Sequence, residues 1–213
     1  MSVVGAAGQE GTRAIATEVS VAAIVLAAGL STRMGEQKVL LPLDGRPLVQ
    51  WVVDAALRSR AAKTIVVVGH EAGLVVEVLE GRPLTVVVNS DYERGMSTSL
   101  QAGVRAAGDG CDAAIFLLGD QPFVTSALVD RLIDRFAETR SAVVRPLVGD
   151  QPANPVLMGA VLFPEILAQR GDVGGREIVA QHAGEICLVP VDDPRVIVDI
   201  DSPGDFAAAR GST

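Results

Sequence analysis

From position 21 the chain alternates between runs that are apolar throughout and segments in which apolar residues recur every three or four positions. "AAIVLAA" (22–28), "TIVVVG" (64–69), "LTVVV" (84–88) and "DAAIFLL" (112–118) are of the first kind, and their shortness predicts strands. Segments 47–60, 72–80, 97–107 and 126–137 are of the second kind and predict helices. In 126–137 the residues Leu128, Val129, Leu132, Ile133 and Phe136 fall on one side, the stripe a surface helix turns to a core. Strands alternating with helices give α/β units feeding a mostly parallel sheet flanked by helices. The unbroken apolar run 112–118 places that strand in the middle, covered on both faces. Beyond 140 the pattern is less regular, with short strands around 142–147, 155–158, 186–190 and 196–199 and helices near 160–169 and 174–182. No repeat or low-complexity linker divides 21–213, which reads as a single domain. The first twenty residues carry no such pattern and read as a flexible tail.

Composition narrows the function classes. At 213 residues and 49% hydrophobic, the chain can bury an ordinary core. A net charge of −8 and a pI near 4.8 exclude a broad polyanion-binding face, so no nucleic-acid partner is expected and any phosphate site must be local. Cys111 and Cys187 stand far apart without a metal-binding spacing, which suggests neither zinc nor a disulfide framework. No apolar run reaches membrane-spanning length, and the first residues lack the pattern of a secretory signal. A cytoplasmic location is the expectation.

The stretch "LAAGLSTRMGEQK" (26–38) follows the first strand and concentrates Gly29, Gly35, Ser31, Thr32, Arg33 and Lys38. Glycine lets an anion approach the backbone, hydroxyls donate to it, and the two cations supply the charge a triphosphate demands. Neither the Gly-Lys-Ser/Thr ending of a P-loop nor the G-x-G-x-x-G of a dinucleotide site is present. From chemistry alone, a phosphate cradle and a solvated basic surface loop both remain open.

The longer stretch "LAAGLSTRMGEQKVLLPLDGRPLVQWVV" resembles the signature of the MobA-like nucleotidyltransferases, within the larger GT-A-like, Rossmann-like pyrophosphorylase fold. "NSDYERGMSTSL" (89–100), "GDQP" (119–122) and "VDIDSPGDF" (198–206) resemble further motifs of that family, in the same order. "LAAG", "GMSTSL", "NPVL" and "GDVGGR" are most similar to its molybdopterin cytidylyltransferase branch.

That resemblance implies a Mg²⁺-dependent transfer of CMP from CTP to the phosphate of a molybdopterin-type acceptor, with pyrophosphate released. A molybdoenzyme would receive the product. The alternatives are GTP as donor, a sugar- or polyol-phosphate as acceptor, or a non-catalytic cofactor-binding chaperone for a molybdoenzyme. The nucleotide would be held by Leu26, Ala27, Ala28, Gly29, Ser31, Thr32, Arg33 and Lys38, with Ser97 and Ser99 reading base or sugar; helix capping explains the same two serines equally well. Ala28 replaces a glycine of the resembling guanylyltransferases, and its methyl is expected to narrow the space beside the base and favour CTP.

Catalysis would rest on Arg33, Lys38 and Asp120. Asp120, just past a buried strand, sits where α/β sheets place ligands and suits a hard cation; a turn or cap aspartate before Pro122 is the plain alternative. Asp199 and Asp201 alternate with Val198 and Ile200, so a strand there would put both carboxylates on one face; the family points to Asp201 as the second metal ligand with Asp199 in support, and capping of a final helix begun by Pro203 is the plain alternative for either. Asn154, Asp172 and Arg176 are the acceptor-binding candidates, with Ala153 departing from the branch pattern before Asn154. A phosphate acceptor is already an anionic nucleophile, which agrees with the lack of any Ser/His/Asp or Cys/His arrangement. His70 and His182 are unsuited as catalysts; His70, near the sheet's ligand edge, reads as a hydrogen-bonded turn histidine.

Overall fold

The structure is a computed structural model that describes residues 18–30, 37–171, 174–198 and 200. Its strands are β1 (Val21–Ala27), β2 (Pro42–Leu43), β3 (Arg46–Pro47), β4 (Lys63–Val68), β5 (Thr85–Val88), β6 (Ala113–Leu118), β7 (Val143–Val148), β8 (Gln151–Pro152), β9 (Val156–Gly159) and β10 (Ile186–Val191). The helices are α1 (Leu48–Leu57), α2 (Ala72–Val78), α3 (Met96–Ala107), α4 (Ser126–Thr139), α5 (Phe163–Ala168) and α6 (Arg176–Gln181).

The main sheet runs β10-β7-β9-β6-β1-β4-β5, with β8 paired to β7. The β5-β4-β1-β6 half is parallel throughout. β9 runs antiparallel between β6 and β7, and β10 lies parallel to β7. This is the expected α/β architecture, a mostly parallel sheet flanked by helices with a less regular C-terminal part.

Side-chain alternation divides the core in two. Val21, Ala23, Val25 and Ala27 of β1 face a layer that includes Val49, Val52, Val53, Val75, Leu128, Val129 and Leu132 from α1, α2 and α4. Ala22 and Ile24 face Leu100 and Val104 of α3, Ile166 of α5 and Ile178 of α6. A strand covered on both sides has no polar face to show, which is why β1, β4 and β6 read as continuous apolar runs. α3 lies especially close to β1, since a Cβ at Gly103 would come within 2.5 Å of Ile24.

Three local details differ from the sequence reading. The hairpin β2–β3 was not foreseen; Asp44 and Gly45 at its tip both have positive φ, 50° and 78°, the backbone that Asp-Gly favours in a two-residue turn. Residues 196–198, the described part of the strand expected over 196–199, are not a strand, because Pro194 opens a 3₁₀ turn over Pro194–Ile197 whose entry is held by Asp193 accepting from the Arg195 N–H. The helix expected over 160–169 is a 3₁₀ turn, Ala160–Leu162, followed by the short α5. No helix among the described residues is long and apolar enough to cross a membrane.

Candidate active site

The central parallel strands end together, and the chain there is drawn tight. Gly119 donates its N–H to the Leu26 carbonyl at 3.0 Å, and a Cβ on Gly119 would sit 3.0 Å from that oxygen and 3.1 Å from Val39. A residue without a side chain therefore lets the end of β6, the end of β1 and the turn bearing Lys38 meet. Lys38 opens the 3₁₀ turn Lys38–Leu40. The preceding Gln37 is buried and donates its side-chain N–H to the His70 carbonyl at 2.8 Å. Behind the turn, Leu43, Leu48 and Ile200 form a small apolar cluster with Trp51 and Phe123. Arg46 stacks over Trp51 at 4.3 Å and pairs with Asp54.

On this base the Lys38 ammonium pairs with the Asp120 carboxylate, both side chains largely shielded from solvent. The pair stands in a cleft of about 1000 Å³. Of the residues singled out from the sequence, the cleft brings together Leu26, Ala27, Gly29, Lys38, Asp120, Asn154 and Arg176. Gly29 has open space where a Cβ would be. Asp120 also accepts, through its main-chain oxygen, from the Ile200 N–H at 3.5 Å, so the segment entering the acidic C-terminal motif docks on the same turn. Ser31, Thr32, Arg33, Asp172, Asp199 and Asp201 lie outside the described residues, as do Gly35 and the first seventeen positions.

The remaining candidates lie elsewhere. Ala28 is buried beside Gly69 and does not line the cleft. Ser97 is buried and donates its hydroxyl to the Gly171 carbonyl at 2.6 Å, while Ser99 accepts from the Asn89 side chain at 3.0 Å. Neither caps α3, whose N-cap is Gly95 with φ at 105°. Asn89 also donates to Thr98 at 2.8 Å and accepts from the Asp91 N–H at 3.0 Å. The serine and threonine hydroxyls of α3 thus hold the segment 89–99 in shape.

Sequence reasoning missed Arg145 of β7, which lines the cleft. Burial pushes its guanidinium below the ordinary arginine range. His182 does not line the cleft and bonds Glu185 and Glu165.

Mg²⁺ is content with one or two carboxylates when substrate phosphates and waters complete its octahedron. Asp120, a hard oxygen donor at the mouth of the strands beside a triphosphate-sized cleft, fits that requirement. Among the described residues no three His, Cys, Asp or Glu side chains come together in a group that could hold a metal ion.

The MobA-like NTP transferase domain matches residues 23–186. The molybdenum cofactor cytidylyltransferase of Escherichia coli K12 is 26% identical over 188 residues, covering 88% of this chain and 94% of that one. A nucleotidyl transferase from Methanothermobacter superposes with a TM-score of 0.77 at 30% identity, covering 91% of this chain and 97% of the other. A manganese complex of Rv0371c from Mycobacterium tuberculosis H37Rv superposes with a TM-score of 0.79 at 25% identity, covering 91% of this chain and all of the other.

Proposed function

Since the chain belongs to the MobA-like NTP transferase family and is a nucleotidyltransferase, we propose that it transfers CMP from CTP to the phosphate of a molybdopterin-type acceptor, using Mg²⁺ and releasing pyrophosphate. The observation that carries this reading is the Lys38–Asp120 pair at the shared end of β1 and β6, inside a cleft of about 1000 Å³. The similarity to the E. coli cytidylyltransferase across nearly its whole length supports the choice of nucleotide and acceptor.

Lys38 is the cation that balances Asp120 in the absence of substrate. When a triphosphate enters, its oxygens compete for the ammonium, and Lys38 turns from the carboxylate to the phosphates, where it opposes the charge that grows on departing pyrophosphate. The Asp120 carboxylate, freed of its partner, would hold Mg²⁺, with Asp201 as the proposed second ligand. A bound Mg²⁺ supplies charge neutralisation of the triphosphate and a fixed orientation for in-line displacement. Gly29 lets phosphate oxygens come close to the backbone, and Arg33 with Ser31 and Thr32 completes the proposed cradle. Asn154 and Arg176 line the cleft beyond and position the acceptor. The acceptor phosphate attacks the α-phosphorus as an anion, so no side chain has to remove a proton.

Pyrophosphate release measured with CTP, GTP and molybdopterin tests the proposal. CTP is expected to be used at least about ten-fold better than GTP in kcat/KM, a difference of about 1.4 kcal/mol. Lys38→Ala should lower kcat about a hundred-fold with the fold retained. Preference for GTP, or no release with molybdopterin and any nucleotide, would overturn the assignment.

A further inference from the structure

Arg145 is an odd residue for its place. It stands on β7, two positions after Val143, and so shares the face that Val143 turns into the α3, α5 and α6 layer. Its Nε–H donates to the Ala153 carbonyl at 3.0 Å. Among the described residues neither of its terminal nitrogens has a hydrogen bond, and no carboxylate pairs with it. The side chain is half-buried, and a guanidinium anchored through Nε alone keeps its terminal donors for a ligand in the cleft it lines. The burial that lowers its pKa is not offset by any nearby negative charge.

The surroundings say what the free donors face. Phe116 of β6 pairs with Val156 of β9, and Val144 of β7 pairs with Leu157, so Phe116, Val156 and Arg145 lie in one row across the sheet. Two strand spacings, about 10 Å, separate Arg145 from β6, whose far end leads to Asp120. This half of the cleft is floored by Phe116, Val156 and Met158 and bounded by Leu100 and Val179. Ala153 is fixed to β7 at both ends, its N–H on the Pro146 carbonyl at 2.9 Å and its own carbonyl on Arg145, so the guanidinium is held on a rigid strand pair.

We propose that Arg145 is the residue that reads the acceptor. Its two terminal nitrogens donate to the carbonyl-bearing edge of a flat heterocycle that rests on the apolar floor, while the acceptor's phosphate reaches toward Lys38 and Asp120. The inference rests on the phosphate-acceptor reading above and narrows it. A sugar or polyol would present hydroxyls to Phe116, Val156 and Met158, which offer them no partner, whereas a planar ring gains from burying its faces there. A planar fork of donors suits a carbonyl edge as it suits the edge of a purine.

A neutral, phosphate-free probe separates this from the rest of the mechanism. Binding of 6-hydroxymethylpterin, followed by its own fluorescence, is expected for the parent protein without nucleotide or metal. Arg145→Met should weaken it about ten-fold or more. Arg145→Lys, which keeps the charge and loses the fork, should fall between the two, and circular dichroism checks that both variants fold. Lys38→Ala should leave the pterin Kd within about two-fold. No pterin binding by the parent, or an equal Kd in folded Arg145→Met, would overturn the proposal. In turnover, Arg145→Lys should raise the acceptor KM and leave the CTP KM unchanged; a rise in the CTP KM instead would place Arg145 on the nucleotide. Pterin binding that depends on Arg145 without CMP transfer would sustain the acceptor reading and remove the cytidylyl assignment, and transfer without that dependence would do the reverse.

Discussion

At the scale of single residues, the cleft separates groups that do chemistry from groups that hold others in place, and the two were not equally legible in the sequence. Lys38 and Asp120 stood out because each follows an apolar strand and sits among glycines and polar residues, where a charge has no packing role. Arg145 did not, because one cation inside "VVRPLV" reads as the polar position of a half-exposed strand; that it lines the same cleft as Lys38 and Asp120 is visible only once the sheet is assembled. Asn89 escaped for a related reason. Its partners Thr98 and Ser99 are nine and ten positions away, a separation that follows no helical or strand period. Asn89 is buried and makes three side-chain hydrogen bonds, to Thr98, Ser99 and the Asp91 N–H. At about 1 kcal/mol each, with hydroxyls that can turn to other partners, Asn89→Ala should cost about 2 kcal/mol. Urea unfolding of the variant measures this; an unchanged midpoint would show that the network is dispensable to the fold.

Among the elements, the strongly periodic and the wholly apolar ones were foreseen to within a residue or two, since β1, β4, β6 and α4 take their pattern from burial. The irregular C-terminal elements depend on local hydrogen bonds that pattern does not record. Pro194 and Asp193 set a 3₁₀ turn over Pro194–Ile197 where the apolar pattern starts a strand at 196, and the hairpin β2–β3 was announced only by Asp44-Gly45. The join between α5 and α6 is of this kind. His182 at the end of α6 bonds Glu185 in the turn that follows and Glu165 in the first turn of α5. The hydrogen bond to Glu185, then that to Glu165, raises the His182 pKa above its ordinary 6.5. A raised folded-state pKa means that the clasp contributes in full below the unfolded value near 6.5 and is lost as pH climbs through the folded value. The melting temperature of His182→Gln should therefore fall below that of the parent at about pH 5.5–6.5, and the two should converge toward alkaline pH. A gap of constant size across that range would show that protonation is not what joins the two helices.

For the whole molecule, what counts is that one sheet carries both ends of the cleft. β1 and β6 supply the Lys38–Asp120 end, β9 and β7 the Arg145 end, and β6 is hydrogen-bonded to both β1 and β9. The alternating pattern of the sequence announced parallel strands but not that β9 would be inserted in reverse between β6 and β7, and that insertion sets the distance between the two ends. A ligand held by strands at the centre of the sheet stabilises the fold as a unit, because strand ends cannot open without losing it. At a hundred times its Kd, a ligand specific to the folded state adds about 2.7 kcal/mol, which for a chain of this length raises Tm by about 5–10 °C. CTP with Mg²⁺ is expected to produce a shift of that size, and GTP with Mg²⁺ a smaller one at equal concentration. If Asp120 holds the cation, Asp120→Asn should melt at the same temperature in CTP with Mg²⁺ as in CTP with EDTA, while the parent separates the two conditions by several degrees. The amide keeps the shape of the carboxylate and gives up the charge a hard cation requires, so a fold defect alone would lower every Tm without closing that gap. Equal shifts in parent and variant, each dependent on Mg²⁺, would move the metal site away from Asp120 and with it the proposed hand-over from Lys38.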